Sequence, residues 1–151
     1  MLGQHVTRQC AIGLLCLLSL LSFGCATAIH YQANEKLVDE LGVPQAQKRL
    51  NEILFRSINP QVVDVETTND FLHYRYRQPI PGPFGAPVGF TMAENRVFFT
   101  NIGRVDAFEN NLVMIRSASE IVLAQMVFAN AEDARTFTEL LLAFRERRVR
   151  R

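Results

Sequence analysis

No cysteine occurs beyond position 25: Cys10, Cys16 and Cys25 all sit near the start of this 151-residue chain. Everything downstream must therefore fold without an intramolecular disulfide or a cysteine-based metal site. An excess of one charge sign is missing as well. The formal net charge is +1, which gives no reason to expect a nucleic-acid partner, usually marked by a strongly basic face. Beyond the first 25 residues the only histidines are His30 and His73. No histidine and carboxylate cluster has zinc-ligand spacing, no serine sits in a nucleophile-elbow context, and no glycine-rich phosphate loop occurs. Gly82-Pro-Phe-Gly85 is flanked by prolines and reads as a loop. These absences point away from an enzyme and from any cofactor or metal. Internal repeats are also missing. What remains is a 48% hydrophobic composition, that of one small globular domain.

The N-terminus has the three parts of a signal peptide: a basic start at Arg8, an apolar run from Cys10 to Ser22, and a small residue, Gly24, before a cut. Leu21-Ser22-Phe23-Gly24-Cys25 resembles the bacterial lipobox, with Ser22 and Phe23 in place of the commoner aliphatic and small residues. The resemblance implies a signal peptide over residues 1–24 and acylation of Cys25 as the new N-terminus. It also implies a lipid anchor in a bacterial cell envelope. Ala26 is not the aspartate that resembles an inner-membrane retention signal, which favours the periplasmic side of the outer membrane in a Gram-negative cell. The competing reading is a retained helix, because no charged residue occurs from Cys10 to Ile29, about the 20 residues a membrane span needs. Against it, the leucine-rich part stops at Leu21.

Residues 25–33 read as a lipidated tether, and 34–58 as a helical segment. Glu35 to Leu41 is stopped by Gly42, and Pro44 opens a second helix with Ala46, Leu50, Ile53 and Leu54 on one face. From Gln61 the apolar period changes to 2, the signature of strands. Asn69-Asp70 as a hairpin turn pairs Val65 with Tyr74, Val63 with Tyr76, Glu66 with His73 and Asp64 with Arg75. Five more strands are expected over Val88–Met92, Val97–Ile102, Arg104–Phe108, Leu112–Ser117 and Glu120–Phe128, with turns at Glu94-Asn95 and Asn110-Asn111. The last hairpin pairs Val105 with Ile115 and Ala107 with Val113, but sets Arg104 against Arg116. Asn130 caps a final helix whose buried stripe is Ala134, Phe137, Leu140, Leu141 and Phe144.

The run Phe99-Thr-Asn-Ile-Gly-Arg-Val105, then Val113-Met-Ile115, then Phe128 to Ala134 with Phe137 and Leu140, resembles bacterial members of the pleckstrin-homology class. Residues 61–151 then form that domain. The resemblance implies an α+β fold: a bent antiparallel seven-stranded barrel, a C-terminal capping helix and an extra N-terminal helix. Its eukaryotic members often bind inositol phosphates through a basic first hairpin, whereas Thr68-Asn69-Asp70 is short and acidic.

Two segments could carry a partner. Gln78 to Gly89 holds four prolines and three glycines together with Ile80, Phe84 and Val88, apolar residues that a solvated linker does not need. Its alternative is a stiff connector folded back over the barrel. The last seven residues carry five arginines against one glutamate, suited either to anionic headgroups or to a solvated helix end. The expected function is a non-enzymatic module that binds another envelope protein through Ile80, Phe84 and Val88. A second reading is an apolar ligand held between helix and sheet.

Overall fold

A computed structural model describes residues 27–150; the segment expected to be a signal peptide, Cys25 and Arg151 lie outside the described residues. The chain is α+β, with seven antiparallel strands in two sheets and a long C-terminal helix. Strands β1 (Ala28–Ile29), β5 (Arg104–Phe108), β6 (Leu112–Arg116) and β7 (Val122–Val127) form one sheet in the order β1-β5-β6-β7. Strands β2 (Gln61–Thr67), β3 (Phe71–Pro81) and β4 (Pro87–Phe98) form the other, in sequence order. The expected single bent sheet is therefore divided. Its halves are joined by an isolated bridge between Asn59 and Val127, and by the Asn95 side-chain amide donating to the Leu123 carbonyl at 2.9 Å.

Helices α1 (Glu35–Leu41) and α2 (Val43–Phe55) meet at Gly42, whose φ of +76° favours glycine. Their apolar faces do not form a separate unit. Val38, Ala46, Leu50, Ile53 and Leu54 belong to the same core as the strands. Helix α3 (Ala131–Val149) starts at Asn130, whose side chain accepts the Asp133 N–H at 2.8 Å. It runs between α1 and α2 on one side and strands β5 and β6 on the other. Two-sided packing explains why Thr138, Leu142 and Ala143 are buried beside the expected stripe. Phe137 packs on Phe128 with centroids 5.0 Å apart, and Phe144 stacks on Phe99 at 5.5 Å.

The β2–β3 register holds for Asp64, Val65 and Glu66, which face Arg75, Tyr74 and His73. It then shifts at a bulge, so that Val62 rather than Val63 faces Tyr76. The extra residue sends Val62 into the core and leaves Val63 half-buried. Between β5 and β6 the expected pairs form, Arg104 opposite Arg116 included. That like-charged pair is resolved by Asp106, 6% exposed, which accepts from Arg104 Nε at 3.1 Å and Arg116 Nε at 3.2 Å.

Three expectations are corrected. Ala28–Ile29, expected in the tether, pair with Phe108 and Ala107 as β1. The strands expected over Val88–Met92 and Val97–Ile102 are one strand, β4, followed by a 3-10 turn at Phe99–Asn101. Asn95 does not turn the chain because its amide is committed to the Tyr74 hydroxyl at 3.1 Å and to Leu123. Glu120 lies in a turn at φ +64°, so β7 starts at Val122.

Candidate functional site

The segment from Gln78 to Gly89 is largely strand, contrary to the expected loop. Gln78 pairs with Thr91, Pro79 with Phe90 and Ile80 with Gly89. Since β2 ends its pairing at Gln61 opposite Arg77, the hairpin beyond that rung is a two-stranded arm without a third strand. Proline enters it because of where its nitrogen points. The Thr68 N–H donates to the Phe71 carbonyl, and the Phe99 N–H to the Asp70 carbonyl, both at 2.9 Å. Backbone alternation then directs odd-numbered β3 residues toward β2 and odd-numbered β4 residues toward β3. Pro79 and Pro81 thus aim their donorless nitrogens at the side β2 has vacated, where no ladder bond is lost.

The same alternation sets the outer edge of β4. Phe90 and Met92 direct their N–H and C=O groups away from β3, on a strand with no hydrogen-bonded neighbour beyond it, and Val88 is the extra residue of a bulge. The side chains of Val88, Phe90 and Met92 share one face and are 66%, 63% and 54% exposed. Ile80 is exposed on the opposite face, and Phe84 at the tip is fully exposed. Phe84 has φ +63° and Gly85 φ +81°, so the turn holds a bulky ring outward in the left-handed region. At Gly82 a Cβ would meet the Val88 side chain and the Ala86 carbonyl, which closes the tip to any larger residue. No charged residue occurs from Gln78 to Ala93; Arg77 and Glu94 bound the run.

The structure therefore brings Ile80, Phe84 and Val88 onto one projecting arm, on different faces of it. Sequence reasoning missed Phe90 and Met92, which it placed in an ordinary strand; the uncharged run extending to Ala93 was the available signal. The arm is not folded back over the core.

Elsewhere the chemistry is sparse. His73, expected on a solvated face opposite Glu66, is only 18% exposed at its side chain, and its Nε2 lies 3.5 Å from Glu94 Oε2. The Tyr74 phenol, 2% exposed, is pushed by burial up to about 12, with Tyr76 adding to the rise and the Asn95 hydrogen bond opposing it. Among the described residues no cluster of three or more His, Cys, Asp or Glu side chains could hold a metal, and no helix is long and apolar enough to cross a membrane. An open groove between α2 and β2 is floored by Phe55, Val63 and Val65.

Three arginines of the described C-terminal end are paired with carboxylates. Arg147 pairs with Asp39, Arg148 with Asp70 at 2.8 Å and Arg150 with Glu35 at 2.8 Å. These contacts clip the end of α3 to α1 and to the β2–β3 turn, and each contributes modestly at such exposure.

No known protein family, curated protein or solved structure matches this chain.

Proposed function

We propose that this chain is a lipid-anchored module of a bacterial envelope, tied to the membrane through Cys25, that binds another protein without catalysing a reaction. Two antiparallel sheets followed by a C-terminal helix support a pleckstrin-homology-like reading of the domain. The observation that carries the binding role is the outer edge of β4. Phe90 and Met92 offer two sets of backbone donors and acceptors beside apolar side chains, free of proline and charge. Edges are normally blunted by those devices, and here β3 carries Pro79 and Pro81 while residues 88–93 of β4 carry neither proline nor charge. Such an edge suits an added strand from a partner.

A closed core between helix and sheet speaks against the reading of an apolar ligand held there. Phe99, Phe137, Leu140, Leu141 and Ala143 have no exposure. The concavity beside Phe144 holds about 20 Å³, space for about one water.

Met92→Pro tests the proposal, since it removes an outward N–H without costing a β3–β4 ladder bond. In cells carrying a photo-crosslinker at Thr91, the crosslinked partner should be lost with this variant while the thermal transition stays in place. An unchanged crosslink overturns the proposal.

A further inference from the structure

The tip of the arm, residues 81–87, differs chemically from the β4 edge. Pro81, Pro83 and Pro87 have no N–H to donate. Of the remaining donors, the Gly82 N–H is bonded to the Ala86 carbonyl at 3.0 Å and the Gly85 N–H to the Gly82 carbonyl at 3.3 Å. Only Phe84 and Ala86 keep N–H groups that need an outside partner. A tip so poor in free donors offers little for strand addition. Having few free donors also lowers the cost of moving it into a medium that forms no hydrogen bonds, where each unsatisfied group, a carbonyl included, is penalised. Phe84 stands at its apex, fully exposed and in a strained conformation. The uncharged run from Gln78 to Ala93 carries no ionised group into such a medium.

The pairing also fixes which way the tip points. Ala28 pairs with Phe108, so the described chain enters at the end of its sheet where β5 turns into β6 and where β7 finishes, Leu112 facing Val127. Asn95 lies by the start of β7, through Leu123, and Asn59 by its end, through Val127. Passing from Asn95 toward the arm therefore runs in the direction from Leu123 to Val127. The arm continues past the end of the molecule at which β1 begins. Cys25 precedes Ala28 by three residues, at most about 11 Å of extended chain. The arm runs four residues beyond the Arg77 rung before its turn, about 13 Å at strand rise and more with the turn. The two lengths are of the same order.

We infer that the tip of the β3–β4 arm, centred on Phe84, enters the lipid interface of the membrane to which Cys25 is tied, giving the domain a second point of attachment. The inference rests on the anchor proposed above. The two attachments act in concert: the acyl chains raise the local concentration of a weak insertion, and the insertion fixes the orientation of the domain. The β4 edge at Phe90 and Met92 then stands just above the surface.

The chain has no tryptophan, so Phe84→Trp supplies a single indole at a site that touches nothing. Full-length protein recovered from bacterial membranes is placed in phosphatidylethanolamine and phosphatidylglycerol vesicles, with and without bromine on the acyl chains. The expected result is a blue-shifted emission that is largely lost in the brominated vesicles. Ile121→Trp, exposed in the turn at the opposite end, should remain unquenched. An unquenched indole at position 84 overturns the inference; if it is blue-shifted, a protein covers the tip instead. Equal quenching at 84 and 121 overturns the orientation. The intact mass of the same sample separates the two readings. Acyl chains on Cys25 without quenching at 84 leave the anchor standing and remove the arm insertion. Absence of acyl chains removes the anchor, and quenching at 84 still decides the arm.

Discussion

Replacing Asp106 by asparagine keeps the shape of the side chain and removes its charge, which isolates what that carboxylate does for the β5–β6 pair. Arg104 and Arg116 face each other directly, and Asp106 contacts both at 2.9 to 3.2 Å. Breaking a fully buried ion pair costs about 3–5 kcal/mol. Arg104 is half exposed and Arg116 about a quarter exposed, so water takes over part of their solvation, and Arg104 keeps Glu120 at 3.0 Å. The expected loss is therefore about 2–3 kcal/mol. For a domain of this size that lowers the melting temperature by roughly 6–12 °C. Urea and thermal unfolding followed by far-ultraviolet circular dichroism measure it. In the Asp106→Asn background, Arg116→Gln should recover about 1 kcal/mol by removing the repulsion, a coupling typical of residues in one network. A loss below about 1 kcal/mol, or strictly additive single and double variants, would refute the view that Asp106 neutralises the pair.

Two further outcomes follow from the packing and the buried phenol. Phe137→Ala removes a ring with no exposure that packs on Phe128, and should cost about 3–5 kcal/mol in denaturant titrations. Tyr74 confers alkaline sensitivity: the unfolded chain releases the phenolic proton near pH 10, whereas the folded chain holds it to about 12. Its contribution is thus complete below pH 10 and declines as pH rises from there toward 12, by roughly 2–3 kcal/mol in all. Tyr74→Phe should flatten that decline in urea titrations across the window.

The sequence revealed the elements whose periodicity was local and strong. Asn130 with Phe137 and Leu141 specified α3, and the sign-matched pairs Asp64–Arg75 and Glu66–His73 set the first hairpin. What it hid was decided by long-range pairing. Nothing about Val63 announces a bulge, and the commitment of Asn95 to Tyr74 and Leu123 exists only once β4 lies beside β7. The proline-rich segment misled for a related reason. Proline forbids a ladder bond only on the side its nitrogen faces, and that side was vacant because β2 ends at Gln61, a fact of another strand. Ile80, Phe84 and Val88 were legible as unusual residues in a turn-like segment. Their common projection on an arm, and the part of Phe90 and Met92 in it, were not.

The position of α3 has a consequence for when the protein can fold. Both the N-terminal helices and the strands bury their apolar residues against it, yet it follows all of them in the chain. A chain still lacking residues 131–149 has Phe128 made but not Phe137, the ring that packs on it, so the core stays open until that helix has been made. For a protein routed across a membrane as proposed, that delay is useful, because a chain whose core waits for α3 reaches the export machinery still threadable.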